Sequence, residues 1–208
     1  MSIPFTFHFI WVGPDPLPPN FARFRQTWQH HHPDASVRVW TNADREHFAG
    51  ELPLLERLDN PAQQADVMRY LVLYEHGGIY CDHDMECLQS VEPFIKDQDL
   101  VVCNETDDVS VPYMSNSWIA ARAKHPVFKS IVDRLHDAEY QEVIARGAIN
   151  ETTGPYLLGW GLSQLHDHRA VRRLPKDYMY PFLWFEQAPE QVPECTVAIH
   201  HWAASWKK

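Results

Sequence analysis

Asn60 to Asp84, NPAQQADVMRYLVLYEHGGIYCDHD, holds a complete helix and the strand that follows it. Asn60 has the short polar side chain that caps a helix start, and Pro61 suits the first helical position, where no backbone N–H is needed. Ala62, Ala65, Met68, Leu71 and Val72 then recur at helical spacing. Gly77-Gly78 ends the helix, since glycine accepts the left-handed backbone of a helix stop. Ile79-Tyr80-Cys81 reads as a short strand delivering Asp82-His83-Asp84 at its carboxyl end, where open α/β sheets bind ligands. Met85 to Leu88 forms another extended piece.

Upstream, Ile3 to Val12 alternates, with Phe5, Phe7, Phe9 and Trp11 on one side and Thr6, His8, Ile10 and Val12 on the other, which is a strand. The Gly13 to Pro19 run cannot continue it, because prolines remove ladder donors. Asn20 then caps a helix carrying Phe21, Phe24 and Trp28, and Ser36 to Trp40 is a second strand. This β-loop-α-β opening predicts a Rossmann-like, mostly parallel central sheet flanked by helices, in one domain over residues 1–208. Downstream, Leu100 to Cys103, Ser117 to Ala121 and Val197 to Ile199 read as strands. Pro126 to about Ala138 and Pro155 to about His166 read as helices. Asn104 to Asn116 and Asp177 to Pro193 give no regular pattern, as expected of a lid or an acceptor wall.

The 208 residues carry 28 acidic and 18 basic side chains, a formal net charge of -10, with no basic cluster longer than a pair. That balance argues against nucleic acid as a partner. Bound diphosphate would need local positive charge, which a divalent cation supplies. No apolar run reaches the ~20 residues of a membrane span, and the Met1-Ser2-Ile3-Pro4 start lacks a signal peptide's pattern, so a soluble, cytoplasmic chain is expected. Cys81, Cys87, Cys103 and Cys195 form no C-x-x-C pair and are expected to be reduced.

Asp82 and Asp84 are the first candidates for chemistry. Two carboxylates at an irregular strand end can share one hard cation, Mn²⁺ or Mg²⁺, although a D-x-D triplet alone is equally read as a solvated turn. Asp66 and Arg69 lie three apart on one helix face, either as a structural ion pair or as ligands of sugar and phosphate oxygens. Trp11, near a strand end, is read either as core or as a stacking surface. His8 is expected to be a satisfied core histidine, His30-His31-His32 a solvated cluster at a helix terminus, and His125 a turn residue.

The order A-D-V-M-R-Y-L-V-L-Y-E-H-G-G-I-Y-C-D-H-D from Ala65 to Asp84 resembles the sugar-binding region of glycosyltransferase family 32, the D-x-D family that includes yeast-type mannosyltransferases and is akin to the clostridial glucosylating toxins. I-P-F-T-F-H-F-I-W-V-G from Ile3, T-G-P at Thr153 to Pro155 and H-H-W-A-A-S-W from His200 extend the likeness over nearly the whole chain. It implies a glycosyltransferase A-type fold, a metal-dependent nucleotide-sugar donor and retention of anomeric configuration. Carried over by position, Trp11 lies by the nucleotide base, Asp66 and Arg69 by the donor sugar, and Asp82 and Asp84 by ribose and metal. His200, chosen over His201 because it directly follows the strand, completes the metal shell, and Ser205 and Trp206 close over the diphosphate. Asp66, Arg69 and Asp84 then form the catalytic set.

The expected reaction moves a hexose, from a uridine-diphosphate donor in preference to guanosine-diphosphate mannose, to a glycan or other hydroxyl acceptor, as in polysaccharide biosynthesis. With no nucleophilic carboxylate evident, same-face attack is expected, the departing phosphate oxygen taking the acceptor proton. A glycoside hydrolase and a noncatalytic sugar- or metal-binding module are the rival readings.

Overall fold

Both faces of the first strand, β1 (Thr6–Ile10), are buried, and its alternation sorts side chains between two apolar cores. Phe7 and Phe9 point into one core with Trp28, Ile79, Cys81 and Trp118; Ile10 joins the other with Trp40, Tyr80 and Ile119. In this computed structural model residues 2–106, 113–167 and 170–203 are described. After β1 come α1 (Phe21–His31), β2 (Ser36–Trp40), α2 (Asn42–Glu51), α3 (Leu54–Arg57), α4 (Pro61–His76), β3 (Gly78–Cys81), β4 (Met85–Cys87) and α5 (Glu92–Ile95). Then follow β5 (Leu100–Asn104), β6 (Met114–Ala121), α6 (Pro126–His136), α7 (Ala138–Arg146), α8 (Ile149–Thr152), α9 (Pro155–Ser163), β7 (Val171–Leu174) and β8 (Ala198–His200).

Among the described residues, six strands form the central sheet in the order β2-β1-β3-β6-β5-β7, and of these β6 alone runs against the others. The mostly parallel α/β sheet expected from the sequence is therefore present. β4 and β8 make a separate antiparallel ribbon, pairing Met85 with His200. Among the described residues, no helix is long and apolar enough to cross a membrane.

The α4 signals act as anticipated. Asn60 accepts a hydrogen bond from the Ala62 N–H at 2.8 Å, and Gly77, at φ 64, closes the last turn on Leu73. A Cβ on Gly77 would lie 2.4 Å from the Ala123 nitrogen, so this stop admits only glycine.

Several local readings need correction. Asn20 occupies the cap position of α1, but its side chain makes no capping bond. The reading of one helix to about Ala138 fails at Asp137, which ends α6 and caps α7 by accepting from the Tyr140 N–H at 2.8 Å. Helix α2, started by a Thr41–Asp44 capping box, and strand β7, paired with β5, were not anticipated. His32 is not solvated: it is buried, its Nδ1 bonded to the Trp28 carbonyl and its Nε2 accepting from the Val91 N–H. His125 is a buried cap of α6, accepting from Val127 N–H. His8 matches its reading, donating from Nε2 to Gly77 O and accepting at Nδ1 from Trp40 Nε1.

Candidate active site

Helix α4 and the sheet enclose a polar cluster. Asp66 and Arg69, one turn apart and both buried, form an ion pair at 3.1 Å. The Asn116 amide donates to Asp66 Oδ1 at 2.9 Å and the Thr153 hydroxyl to Oδ2 at 3.0 Å. Arg69 donates to the Asn116 carbonyl, the Tyr80 hydroxyl and Asp82 Oδ1, at 2.7, 2.9 and 3.2 Å. Burial pushes the Asp66 carboxyl up to about 6, against the opposing pull of Arg69 and Thr153. Both readings of the pair remain: it is an interior ion pair, and it also lines the main cavity.

Past β3 the chain turns, and Asp82, Asp84 and His200 converge. One donor atom from each lies within 4.8 Å of the others. His200 Nε2 is 3.1 Å from Asp84 Oδ1 and 3.7 Å from Asp82 Oδ2. Neighbouring ligands of an octahedral ion with ~2.1 Å bonds sit about 3 Å apart, and two carboxylates with one imidazole suit Mn²⁺ or Mg²⁺. The three residues thus fit a divalent cation in both spacing and chemistry. Burial raises the Asp84 carboxyl, but His200 and the Ala203 N–H, which donates to Oδ2 at 2.7 Å, outweigh it and hold the group well below the usual range. His200 is shifted the other way: burial lowers it, while Asp84 and Asp82 raise it further. His201 instead bonds Glu86 Oε2 at 2.8 Å and stacks on Phe24, outside the three-residue cluster.

These two groups open into one cavity of about 1030 Å³. Trp11 forms part of its wall, with Nε1 donating to Asp15 O and the ring edge-on to His83 at 4.8 Å. The loop behind it is clamped: Asn42 accepts from the Gly13 N–H and donates to the Gly13 carbonyl, each at 2.9 Å. Exposed Tyr156, Trp184 and Phe185 stand around the cavity. Glu105 also lines it, and burial raises its carboxyl, partly offset by a hydrogen bond from Ser115 and by His200.

Residues 18–101 match the family model "Glycosyltransferase sugar-binding region containing DXD motif", and Asp82 and Asp84 lie inside that stretch. Over that stretch the chain is similar to this glycosyltransferase family. It is 24% identical over 184 residues to inositol phosphoceramide mannosyltransferase 1 of Schizosaccharomyces pombe, covering 84% of this chain and 56% of that one. An uncharacterized glycosyltransferase, L373, of Acanthamoeba polyphaga mimivirus is 29% identical, with 98% of this chain and 84% of that one covered. The chain spans about half the length of the yeast mannosyltransferases it matches. Among solved structures, the ligand-free glycosyltransferase domain of the YGT toxin superposes with a TM-score of 0.61 at 11% identity, over 83% of this chain and 80% of that one. The fold is thus that of the glycosyltransferase A-type enzymes.

Asp66, Arg69, Asp82, Asp84, His200 and Trp11 all line one cavity. Ser205 and Trp206 lie outside the described residues. Asn116, Tyr80 and Glu105 were missed. Asn116 had a visible signal: Ser115-Asn116-Ser117 is a polar triplet at the head of an otherwise apolar strand, and such residues are buried only when paired. Thr153 stood within the quoted T-G-P, without a role.

Proposed function

We propose that this chain is a metal-dependent, retaining hexosyltransferase that takes its sugar from a nucleotide-sugar donor and passes it to a glycan or other hydroxyl acceptor. The observation that carries this reading is the convergence of Asp82, Asp84 and His200 beside the Asp66–Arg69–Asn116–Thr153 cluster in one cavity. Asp82, Asp84 and His200 would hold Mn²⁺ or Mg²⁺, which when bound supplies Lewis-acid charge to the departing diphosphate. The mannosyltransferase names of the yeast relatives make mannose the first sugar to try, ahead of the uridine-diphosphate hexoses that the sequence alone favoured.

The residues divide the work by location. Asp66 Oδ1 is taken by Asn116 and Arg69, while Oδ2, held by Thr153, keeps a lone pair for a sugar hydroxyl, and the three partners hold the carboxylate plane fixed. Tyr80 and Arg69 both donate to Asp82 Oδ1, at 2.6 and 3.2 Å, which leaves Oδ2 toward His200. Trp11 offers an apolar wall for the base. In the transfer, the acceptor oxygen bonds to the anomeric carbon on the face that the diphosphate leaves, and the acceptor proton ends on the departing phosphate oxygen. A glycoside hydrolase is disfavoured, because Asp82 and Asp84 are joined through one imidazole rather than facing each other across a glycosidic bond.

Nucleotide release from GDP-mannose, UDP-glucose and UDP-galactose, with Mn²⁺ or chelator, tests the proposal. Release from one donor, abolished by chelator and by a folded Asp84→Asn variant, is the expected result. No release with retained nucleotide binding would reduce the chain to a binding module; metal-independent cleavage of an aryl glycoside would establish the hydrolase.

A further inference from the structure

Beyond Asp66, Asp82 and Asp84, the cavity holds another carboxylate, Glu105, which the donor chemistry above does not use. Its placement is built into the sheet. β5 and β6 pair regularly from Leu100 to Val102, then the register shifts before Asn104, an irregularity that re-aims the side chains beyond it. Glu105 follows at once, its backbone N–H donating to the Tyr113 carbonyl at 2.7 Å, and its side chain lines the cavity that also holds Asp66, Arg69, Asp84 and His200.

Behind Glu105 runs a buried line of hydroxyls. Ser115 hydrogen-bonds the carboxylate, Ser115 Oγ lies 3.0 Å from Ser117 Oγ, and Ser117 Oγ lies 2.8 Å from the Tyr180 hydroxyl. Strand alternation sends Asn116 the other way, to Asp66. One polar triplet therefore fixes two carboxylates, Asp66 from one face of β6 and Glu105 from the other. A carboxylate carrying only a structural duty is rarely left at a cavity wall with its desolvation incompletely compensated.

We propose that Glu105 is the acceptor-binding carboxylate of the transfer reaction, an inference that rests on the transferase reading above. It accepts a hydrogen bond from an acceptor hydroxyl adjacent to the attacking one or, when water is the acceptor, from the water proton that is not transferred. The attacking oxygen is thereby aimed at the anomeric carbon. The bond changes are those already given: oxygen to anomeric carbon forms, anomeric carbon to phosphate oxygen breaks with its electron pair on the phosphate, and the transferred proton ends on that phosphate. Glu105 keeps its own protonation state.

Water is a sufficient probe, because it is the smallest acceptor. With the donor and Mn²⁺ that support nucleotide release in the wild type, Glu105→Gln is expected to lower kcat roughly 10-fold and Glu105→Ala roughly 100-fold, the cost of a misplaced nucleophile. Donor KM, and GDP and UDP affinities by calorimetry, are expected to stay within about twofold, because the donor's own contacts are untouched. Ser115→Ala is expected to move kcat in the same direction by less. An unchanged kcat in Glu105→Gln overturns the inference, and so does a loss of kcat matched by a loss of nucleotide affinity or melting temperature, which marks a donor or structural role. A wild type that releases no nucleotide overturns the transferase reading itself, and this inference with it.

Discussion

Arg69 shows why residue identity matters more than charge count here. Its guanidinium is buried against Tyr80, with Asp66 at 3.1 Å and Asp82 at 3.2 Å, so each partner both satisfies and requires the others. Removing one partner of a buried pair leaves the other charge uncompensated, so Asp66→Ala is expected to destabilise the chain by about 3–5 kcal/mol, read from urea unfolding. A loss below about 1 kcal/mol would mean that Arg69 reaches solvent or another anion. His8 gives a prediction in pH. Burial lowers its folded-state value from 6.5 to about 4, so the unfolded chain binds the proton first as pH falls. Its contribution is complete above pH 6.5 and is lost as pH drops toward 4, by on the order of 3 kcal/mol. Asp66 titrates in an overlapping window with the opposite sign: its raised carboxyl favours the folded state at low pH and loses that contribution as pH rises through about 6. The comparison must therefore be wild type against His8→Gln, where the variant's urea midpoint is expected to fall less steeply from pH 6.5 to 4. Parallel slopes would contradict the assignment.

Within single elements, α4 and β3 were legible because every signal in them is local. Asn60, Pro61 and Gly77 act within a turn of their own positions, and Asp82 to Asp84 follow a strand whose end is plain. Gly77 and Gly50 separate backbone necessity from permissiveness. Gly77→Ala meets the Ala123 nitrogen at 2.4 Å with φ at 64 and is expected to cost upwards of ~2 kcal/mol. Gly50, in α2 with nothing within 4 Å of a Cβ, is expected to gain about 0.5–1 kcal/mol as alanine. Thermal melts of the two variants give the comparison; equal shifts would contradict it. β7 and α2 were hidden for opposite reasons. Val171–Leu174 carries two arginines mid-strand and shows no long alternation, being an edge paired on one side only. Asn42–Glu51 is so polar that its helical face is little more than Phe48 and Ala49. Glu105 was out of reach because a register shift, visible only once β5 and β6 are paired, aims it.

Across the whole molecule, the site is assembled from distant parts of the chain: Trp11 after β1, Asp66 on α4, the acids after β3, Asn116 on β6, Thr153 after α8 and His200 on β8. The family model covers residues 18–101, so the D-x-D lies within it while its histidine partner arrives by the β4–β8 ribbon. A cation joining the two should therefore stabilise the entire fold. At 100 times its dissociation constant it adds about 2.7 kcal/mol, seen as a melting temperature that rises with Mn²⁺ in the wild type and not in Asp84→Asn. The most direct test of the shared cation site is calorimetric titration of Mn²⁺ into the wild type and a folded His200→Ala variant, each with GDP or UDP present. The structure predicts one Mn²⁺ per wild-type chain and affinity at least ~10-fold weaker without His200; equal affinity in the two proteins, or no Mn²⁺ bound by either, would contradict it.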